Sequence, residues 1–304
     1  MVGPTAAGKT DLSLALADQV SCEILVADSR QVYRGMDIGT AKADAMARRR
    51  VPHHLLDLVE PDQPFTVAQW VELARGRVPE IAARGRLPLV VGGTGLYVTA
   101  LVDGFDFASQ PWSPEVRQRL AAEFEAEGLP VLADRLARLD PASAARTDLR
   151  NPRRVLRALE RAELVGHAAA GTVGFDPYPG RLALLGLRRP LAVLDRRIGE
   201  RAEAMFHGGL LDETRAFLER GLDPALPALT GHGYAEAARH LAGEWSLEQA
   251  IDVTTRRIRR YARRQMSWFR RDRRIAWFDA ADRPADDTPL VRQGSDLLNR
   301  LLLG

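Results

Sequence analysis

Short apolar runs alternating with longer amphipathic stretches set the rhythm of the first hundred residues. Residues 23–27 (Glu-Ile-Leu-Val-Ala) and 87–91 (Leu-Pro-Leu-Val-Val) predict buried strands, the second too apolar to face water on either side. Residues 54–59 predict another, punctuated by Pro52 and Pro61. Between them lie helical patterns. Leu12, Leu14, Ala15, Leu16 and Ala17 mark one; Thr66 caps a second that runs through Trp70 and Leu73 to Ala83. Strands alternating with helices predict an α/β fold built on a parallel, doubly wound sheet.

Near Phe107 the character changes. Residues 108–180 carry helical patterns and no strong strand. Ser113-Pro114 opens a helix, Gly128 to Pro130 breaks it, and Asn151-Pro152 opens another through Leu156 and Leu159. This predicts a helical insertion domain at 108–180 within a core formed by 1–107 and 181–304. Residues 182–187 return to the sheet as a strand. Helices are then predicted over 191–208, 210–219 and 246–271.

Composition narrows the class. With 46% hydrophobic and 27% charged residues in 304, the chain has the make-up of a globular protein with ample core. No run approaches the roughly 18–20 apolar residues of a membrane span, and no signal peptide is visible, so no membrane partner is expected. One cysteine, Cys22, excludes an internal disulfide and fits a reducing cytoplasm. Lys9 and Lys42 are the only lysines, both inside candidate motifs. A pI near 9.3 permits an acidic partner without demanding one.

The chemistry begins at the start of the chain. Gly3-Pro4-Thr5-Ala6-Ala7-Gly8-Lys9-Thr10 has the spacing of a phosphate-binding loop. Its glycines permit turns that aim backbone N–H groups at a phosphate, Lys9 adds a mobile charge, and the Thr10 hydroxyl is placed to ligate Mg2+. Only Met1 and Val2 precede Gly3, so either the start is truncated or the first strand is nearly absent. A missing central strand would expose the edges of its two neighbours, so a truncated start is the expectation.

Other candidates follow from position. Asp28 stands at the carboxyl end of a strand, where α/β sheets bind ligands. It suits a general base, a support for magnesium, or a turn cap. Asp57 reads as strand-end support. His53 and His54 point to opposite faces of a strand and so read as structural. Arg153, Arg154 and Arg157 share one helical turn, with Arg150 and Arg161 extending the row. Across 253–274 only Asp272 opposes ten arginines, a cationic face that favours a nucleic-acid backbone. Arg197 and Arg201 share a helix face and offer an anion clamp, the alternative being surface pairing with Glu200 or Glu203. At this point a small-molecule kinase and a non-catalytic RNA-binding protein with a relict phosphate loop both remain open.

Three blocks together carry a resemblance: residues 3–10, Asp-Ser-Arg-Gln-Val-Tyr-Arg-Gly-Met-Asp-Ile-Gly-Thr-Ala-Lys at 28–42, and Gly-Gly-Thr-Gly-Leu-Tyr at 92–97. Asn-Pro-Arg-Arg-Val-Leu-Arg-Ala-Leu-Glu at 151–160 and Arg-Arg-Gln-Met-Ser-Trp-Phe-Arg at 263–270 extend it over essentially the whole chain. In this order they resemble the bacterial tRNA dimethylallyltransferases. The likeness implies a P-loop NTPase-like core and a helical insertion that contacts the tRNA anticodon arm. It implies transfer of a dimethylallyl group from dimethylallyl diphosphate to the exocyclic amine of the adenosine 3′ of the anticodon, with Mg2+ and no ATP consumed. Asp28 would be the base. Residues 3–10 (Gly3, Pro4, Thr5, Ala6, Ala7, Gly8, Lys9, Thr10) would hold the leaving diphosphate, with Arg201 the first candidate arginine and Arg197 the second. Asp28, Ser29, Arg30, Gln31, Thr94, Arg117, Arg153, Arg154, Val155, Leu156 and Arg157 would touch the tRNA. A monomer is expected. At 231–236 the chain departs from the pattern: His232 and Ala235 stand where relatives carry an aliphatic and a basic residue.

Overall fold

The computed structural model describes residues 1–107, 113–165, 176–284 and 286–303. The chain divides into two compact units, Met1–Val102 with Pro179–Gly304, and Asp103–Tyr178.

The first unit opens with Lys9–Ala17 (α1), Cys22–Ala27 (β1), Ala45–Arg50 (α2) and His53–His54 (β2). Val67–Ala83 (α3), Leu87–Gly92 (β3) and Gly95–Val102 (α4) complete its first segment. The second unit contributes Pro114–Glu127 (α5), Leu129–Leu139 (α6), Pro141–Arg146 (α7) and Pro152–Val165 (α8). The chain re-enters the first unit with Leu184–Arg188 (β4) and Leu191–Met205 (α9), then a wide turn through Gly209 into Leu211–Glu219 (α10). Tyr234–Leu241 (α11), Leu247–Phe269 (α12), Ile275–Asp279 (β5) and Thr288–Leu303 (α13) close it.

The strands are parallel, in the orders β2-β1-β3 and β4-β5. Val2 joins the two sets by bridging Gly92 on one side and Gly186 on the other. Its N–H donates to Leu185 O at 2.8 Å, its carbonyl accepts from Leu187 N at 2.9 Å, and Gly92 N donates to Met1 O at 3.1 Å. The edges that a missing strand would expose are bridged by Val2 towards the strands' carboxyl ends, where the phosphate loop is anchored. Ile24, Val26, Leu89, Val91, Leu185 and Leu187 pack against Leu12 and Leu16 of α1 and Leu290 and Leu298 of α13 to form the core.

Local signals placed several ends correctly. Thr66 and Gln69 form a reciprocal capping box at α3, and Ser113 accepts from Val116 N at 3.2 Å to cap α5. The strand expected over 54–59 is the exception. It stops at His54, because Leu55 and Asp57 take positive φ (66° and 54°), and the chain turns to hydrogen-bond the 31–33 segment. β5, α11 and α13 were not anticipated. The second unit has its own core of Leu120, Leu132, Leu136, Val155 and Leu159. The expected starting point of the insertion, residue 108, lies outside the described residues.

Candidate active site

The phosphate loop leaves the sheet at Val2 in a conformation that its glycines make possible. Gly3 has φ 147°, and a Cβ there would sit 2.3 Å from Leu187 O. Gly8, at φ 96°, starts α1. Lys9 Nζ folds back to donate to Gly3 O (3.0 Å) and Pro4 O (2.8 Å). Burial depresses the Lys9 ammonium to about 8, with Asp28 pulling it up and Arg201 pushing it down.

Three arginines buttress this loop. Arg189 Nε donates to Ala7 O at 2.8 Å, and Arg197 Nε to Ala6 O at 3.1 Å. Arg201 donates from Nη1 to the Thr5 hydroxyl oxygen at 3.3 Å and from Nη2 to Thr40 O at 3.4 Å. Its Nε is buried with no hydrogen-bond partner among the described residues. Burial lowers the proton affinity of its guanidinium while Asp28 and Asp11 oppose this. A buried cation with a spare donor is costly unless an anion satisfies it. Of the two candidate clamps, Arg197 therefore braces a loop carbonyl, and Arg201 retains a donor for a ligand. Among the described residues neither forms an ion pair with Glu200 or Glu203.

Asp28 follows β1. Its Oδ1 accepts from Arg30 N at 2.8 Å and Gln31 N at 3.4 Å, which fixes the carboxylate in an Asx turn. Ser29 N donates to Thr94 Oγ1 at 3.0 Å, and Thr94 N to Ala27 O at 3.1 Å. Gln31 Nε2 donates to Thr40 O at 3.1 Å. Arg30 is tied back to the carbonyls of Pro227 and Ala228. Lys9, Thr10, Asp28, Gln31 and Arg201 all line one cavity of about 810 Å³, together with Tyr261 and Gln265 from α12.

The loop at 36–42 is held from beneath. Lys42 is buried and donates to Asp37 Oδ1 and Asp57 Oδ1, each at 2.6 Å, and to Tyr33 O at 2.9 Å. Burial alone would raise the Asp57 carboxyl, but Lys42 and Arg48 outweigh it and hold it below its usual range. Glu213 on α10 accepts from Asp37 N (3.1 Å) and Ile38 N (2.9 Å) and from the Tyr234 hydroxyl. Asp57 is thus structural. His53 and His54 diverge: His54 Nε2 meets Glu23 Oε2 at 2.6 Å, while His53 Nδ1 meets Val51 O at 2.7 Å. No cluster of His, Cys, Asp and Glu suited to a metal occurs among the described residues.

In the helical unit, Glu160 is only 1% exposed and accepts from Arg117 Nε (2.8 Å), Arg157 Nη1 (2.5 Å) and Ser113 N (3.1 Å). Arg153 and Arg154 are exposed on the same helix. Val155 is 0% exposed and Leu156 packs against the same core. The Val155 side chain thus holds α8 in place, leaving only its backbone for the contact that the motif implies.

The ten arginines over 253–274 are less naked than their own stretch implies. Asp195 of α9 receives Arg259 and Arg263, Glu236 of α11 receives Arg257, and Asp252 receives Arg256. Their acids come from other elements or from just before the stretch, so no window on 253–274 reveals them. Arg260, Arg264, Arg270, Arg271 and Arg273 stay exposed without an acid among the described residues. His232 lies 5.3 Å from Tyr261, ring centre to centre, and burial among arginines lowers it to about 4.

Sequence reasoning missed Gln265, Arg189, Glu213 and Tyr261. Gln265 accepts from Thr5 N and donates to Gly93 O, both at 2.8 Å, across 260 and 172 residues. Only its place in the 263–270 block hinted at a role.

Comparison with known proteins decides the lineage. The family model described as IPP transferase matches residues 31–272. The chain belongs to the IPP transferase family. Among its relatives is the tRNA dimethylallyltransferase of Anaeromyxobacter dehalogenans, 47% identical over 301 residues covering 96% of this chain and 97% of that one. The tRNA dimethylallyltransferase of Thermobifida fusca is 45% identical, covering 99% and 96%. The crystal structure of a tRNA isopentenylpyrophosphate transferase from Bacillus halodurans superposes with TM-score 0.74 at 40% identity, covering 99% of this chain and 95% of that chain. A eukaryotic dimethylallyltransferase solved acting on tRNA shares the fold, with TM-score 0.79 at 24% identity and coverage of 99% and 78%. The IPP transferase core, an α/β parallel sheet behind a phosphate loop, is thus the fold of this chain. No described helix is long and apolar enough to cross a membrane.

Proposed function

We propose that this IPP transferase moves a dimethylallyl group from dimethylallyl diphosphate to the exocyclic N6 of the adenosine 3′ of a tRNA anticodon, releasing diphosphate. The observation that carries the reading is that the carboxylate of Asp28 and the cations of Lys9 and Arg201 line one cavity.

An adenine amine is a poor nucleophile, because its lone pair is delocalised into the ring. As N6 bonds to C1 of the allyl group, the C1–O bond breaks and the electron pair leaves with the diphosphate. The N6 proton passes to Asp28, whose Oδ1 is occupied by backbone amides, leaving Oδ2 to receive it. Negative charge grows on the leaving group beside Lys9 and the unpartnered Nε of Arg201, where preorganised donors act most strongly. The phosphate loop thus grips a leaving group, and ATP is not consumed.

The donor set fits magnesium of the kind held mainly by its substrate: the Thr10 hydroxyl lines the cavity, and among the described residues no carboxylate cage surrounds it. When bound, the ion would neutralise charge on the diphosphate. The target base has to leave its stack to reach Asp28. Ser29, Arg30, Gln31 and Thr94 lie beside that carboxylate, and Arg117, Arg153, Arg154 and Arg157 are the helical unit's candidates for the anticodon arm.

The test is direct. Protein, labelled dimethylallyl diphosphate, magnesium and a tRNA with adenosine after its anticodon should yield prenylated adenosine and diphosphate. ATP turnover without tRNA would favour a kinase instead.

A further inference from the structure

The three loops that build the site follow different strands. Asp28 follows β1, Gly93 and Thr94 follow β3, and the phosphate loop follows Val2 on the other side of β3. Strand pairing fixes where these loops start but leaves their tips free to shift against one another. Two of them are tied by a local bond: Ser29 N and Thr94 Oγ1, at 3.0 Å. Arg201 joins the third, through Thr5, to Thr40, and a more direct tie to the β3 loop comes from α12.

Gln265 projects from α12 between the phosphate loop and the β3 loop and is 5% exposed. Its orientation is determined by its partners. Thr5 offers an N–H and must meet Oε1; Gly93 offers a carbonyl and must meet Nε2; a flipped amide would lose both bonds. The fit is tight, since a Cβ on Gly93 would stand 2.2 Å from Nε2. The same Thr5 carries Arg201 on its hydroxyl. One neutral amide therefore links the diphosphate cradle to the loop that clamps Ser29 beside Asp28.

We propose that Gln265 is a positioning residue that sets the spacing between the diphosphate cradle and the Asp28 carboxylate. This rests on the prenyl-transfer reading. That reaction needs leaving oxygen, C1, N6 and base aligned at once, and misplacement by about 1 Å costs on the order of 10²-fold. Glutamate at this position would keep the acceptor for Thr5 and lose the donor to Gly93. Methionine would lose both.

The experiment is steady-state transfer of the dimethylallyl group to a tRNA transcript by wild type, Gln265→Met and Gln265→Glu, alongside thermal melting of each. The expected result is a kcat lower by about 10²-fold in Gln265→Met, with KM for tRNA within about twofold of wild type. Gln265→Glu should fall between the two and decides the matter if the methionine variant does not fold. A folded variant with wild-type kcat, or a loss confined to KM for tRNA, would overturn the proposal. Wild type that transfers nothing would overturn the prenyl-transfer reading, and the proposal with it.

Discussion

Arg201 donates from Nη1 to the Thr5 hydroxyl oxygen at 3.3 Å while its buried Nε has no partner among the described residues. The guanidinium is thus oriented by the phosphate loop and incompletely satisfied by it. Removing one preorganised donor to developing negative charge costs about 10²–10³-fold in kcat. Arg201→Ala should show a loss of that size in prenyl transfer. Arg197→Ala, which removes a brace on Ala6 O, should chiefly raise KM for the diphosphate substrate.

Lys9 gives the cradle a pH dependence. With its ammonium lowered to about 8, the free enzyme holds the charge below that pH and sheds it above. Inorganic pyrophosphate, titrated calorimetrically from pH 6.5 to 9.5, should bind progressively more weakly above about pH 8. Lys9→Arg, charged throughout, should flatten that profile. The stability effect runs the other way. Between about 8 and the ordinary lysine value the unfolded chain binds more protons, so Lys9's contribution makes folding more favourable as pH rises through that window.

Lys42 is the pin under the 36–42 loop, with its ammonium between Asp37 and Asp57. Lys42→Met should destabilise the protein by about 2–3 kcal/mol in urea unfolding. That is less than the loss of a fully buried pair, because Asp37 is exposed.

The helical unit separates RNA contact from structural support. Arg153→Ala with Arg154→Ala, both exposed, should weaken tRNA binding and lower the salt slope by about 1–2, leaving the melting temperature in place. Glu160→Gln should instead lower stability, since it loosens both Arg117 and Arg157. Burial opposes ionisation of Glu160, but Arg157, Arg117 and the Ser113 amide outweigh it and lower its proton affinity. Its stabilising share is therefore present above the ordinary glutamate range and lost as pH falls through the lowered value.

Much of this site was legible because its signals are local. The glycine spacing of 3–10, Asp28 at a strand end, the Thr66 box and the Ser113 cap are each written within a few residues. What was hidden depends on partners far away. Asp57 takes positive φ where Lys42 and Arg48 hold it, and this ends a strand that residue pattern alone would prolong. Val155 sits in an RNA-like motif yet points into a core formed by α5, α6 and α8. Within their own stretch the arginines of α12 are almost unopposed; α9 and α11 bring Asp195 and Glu236 to them. The segment before the phosphate loop shows the same dependence: Val2 bridges Gly92 of β3 and Gly186 of β4, partners about 90 and 180 residues away.

The account stands on Asp28 as the acceptor of the N6 proton. The most direct measurement is single-turnover prenyl transfer by Asp28→Asn with saturating tRNA and dimethylallyl diphosphate, paired with its tRNA Kd. A loss of about 10²–10⁴-fold in rate with Kd essentially kept is the predicted result. Transfer at the wild-type rate would contradict it.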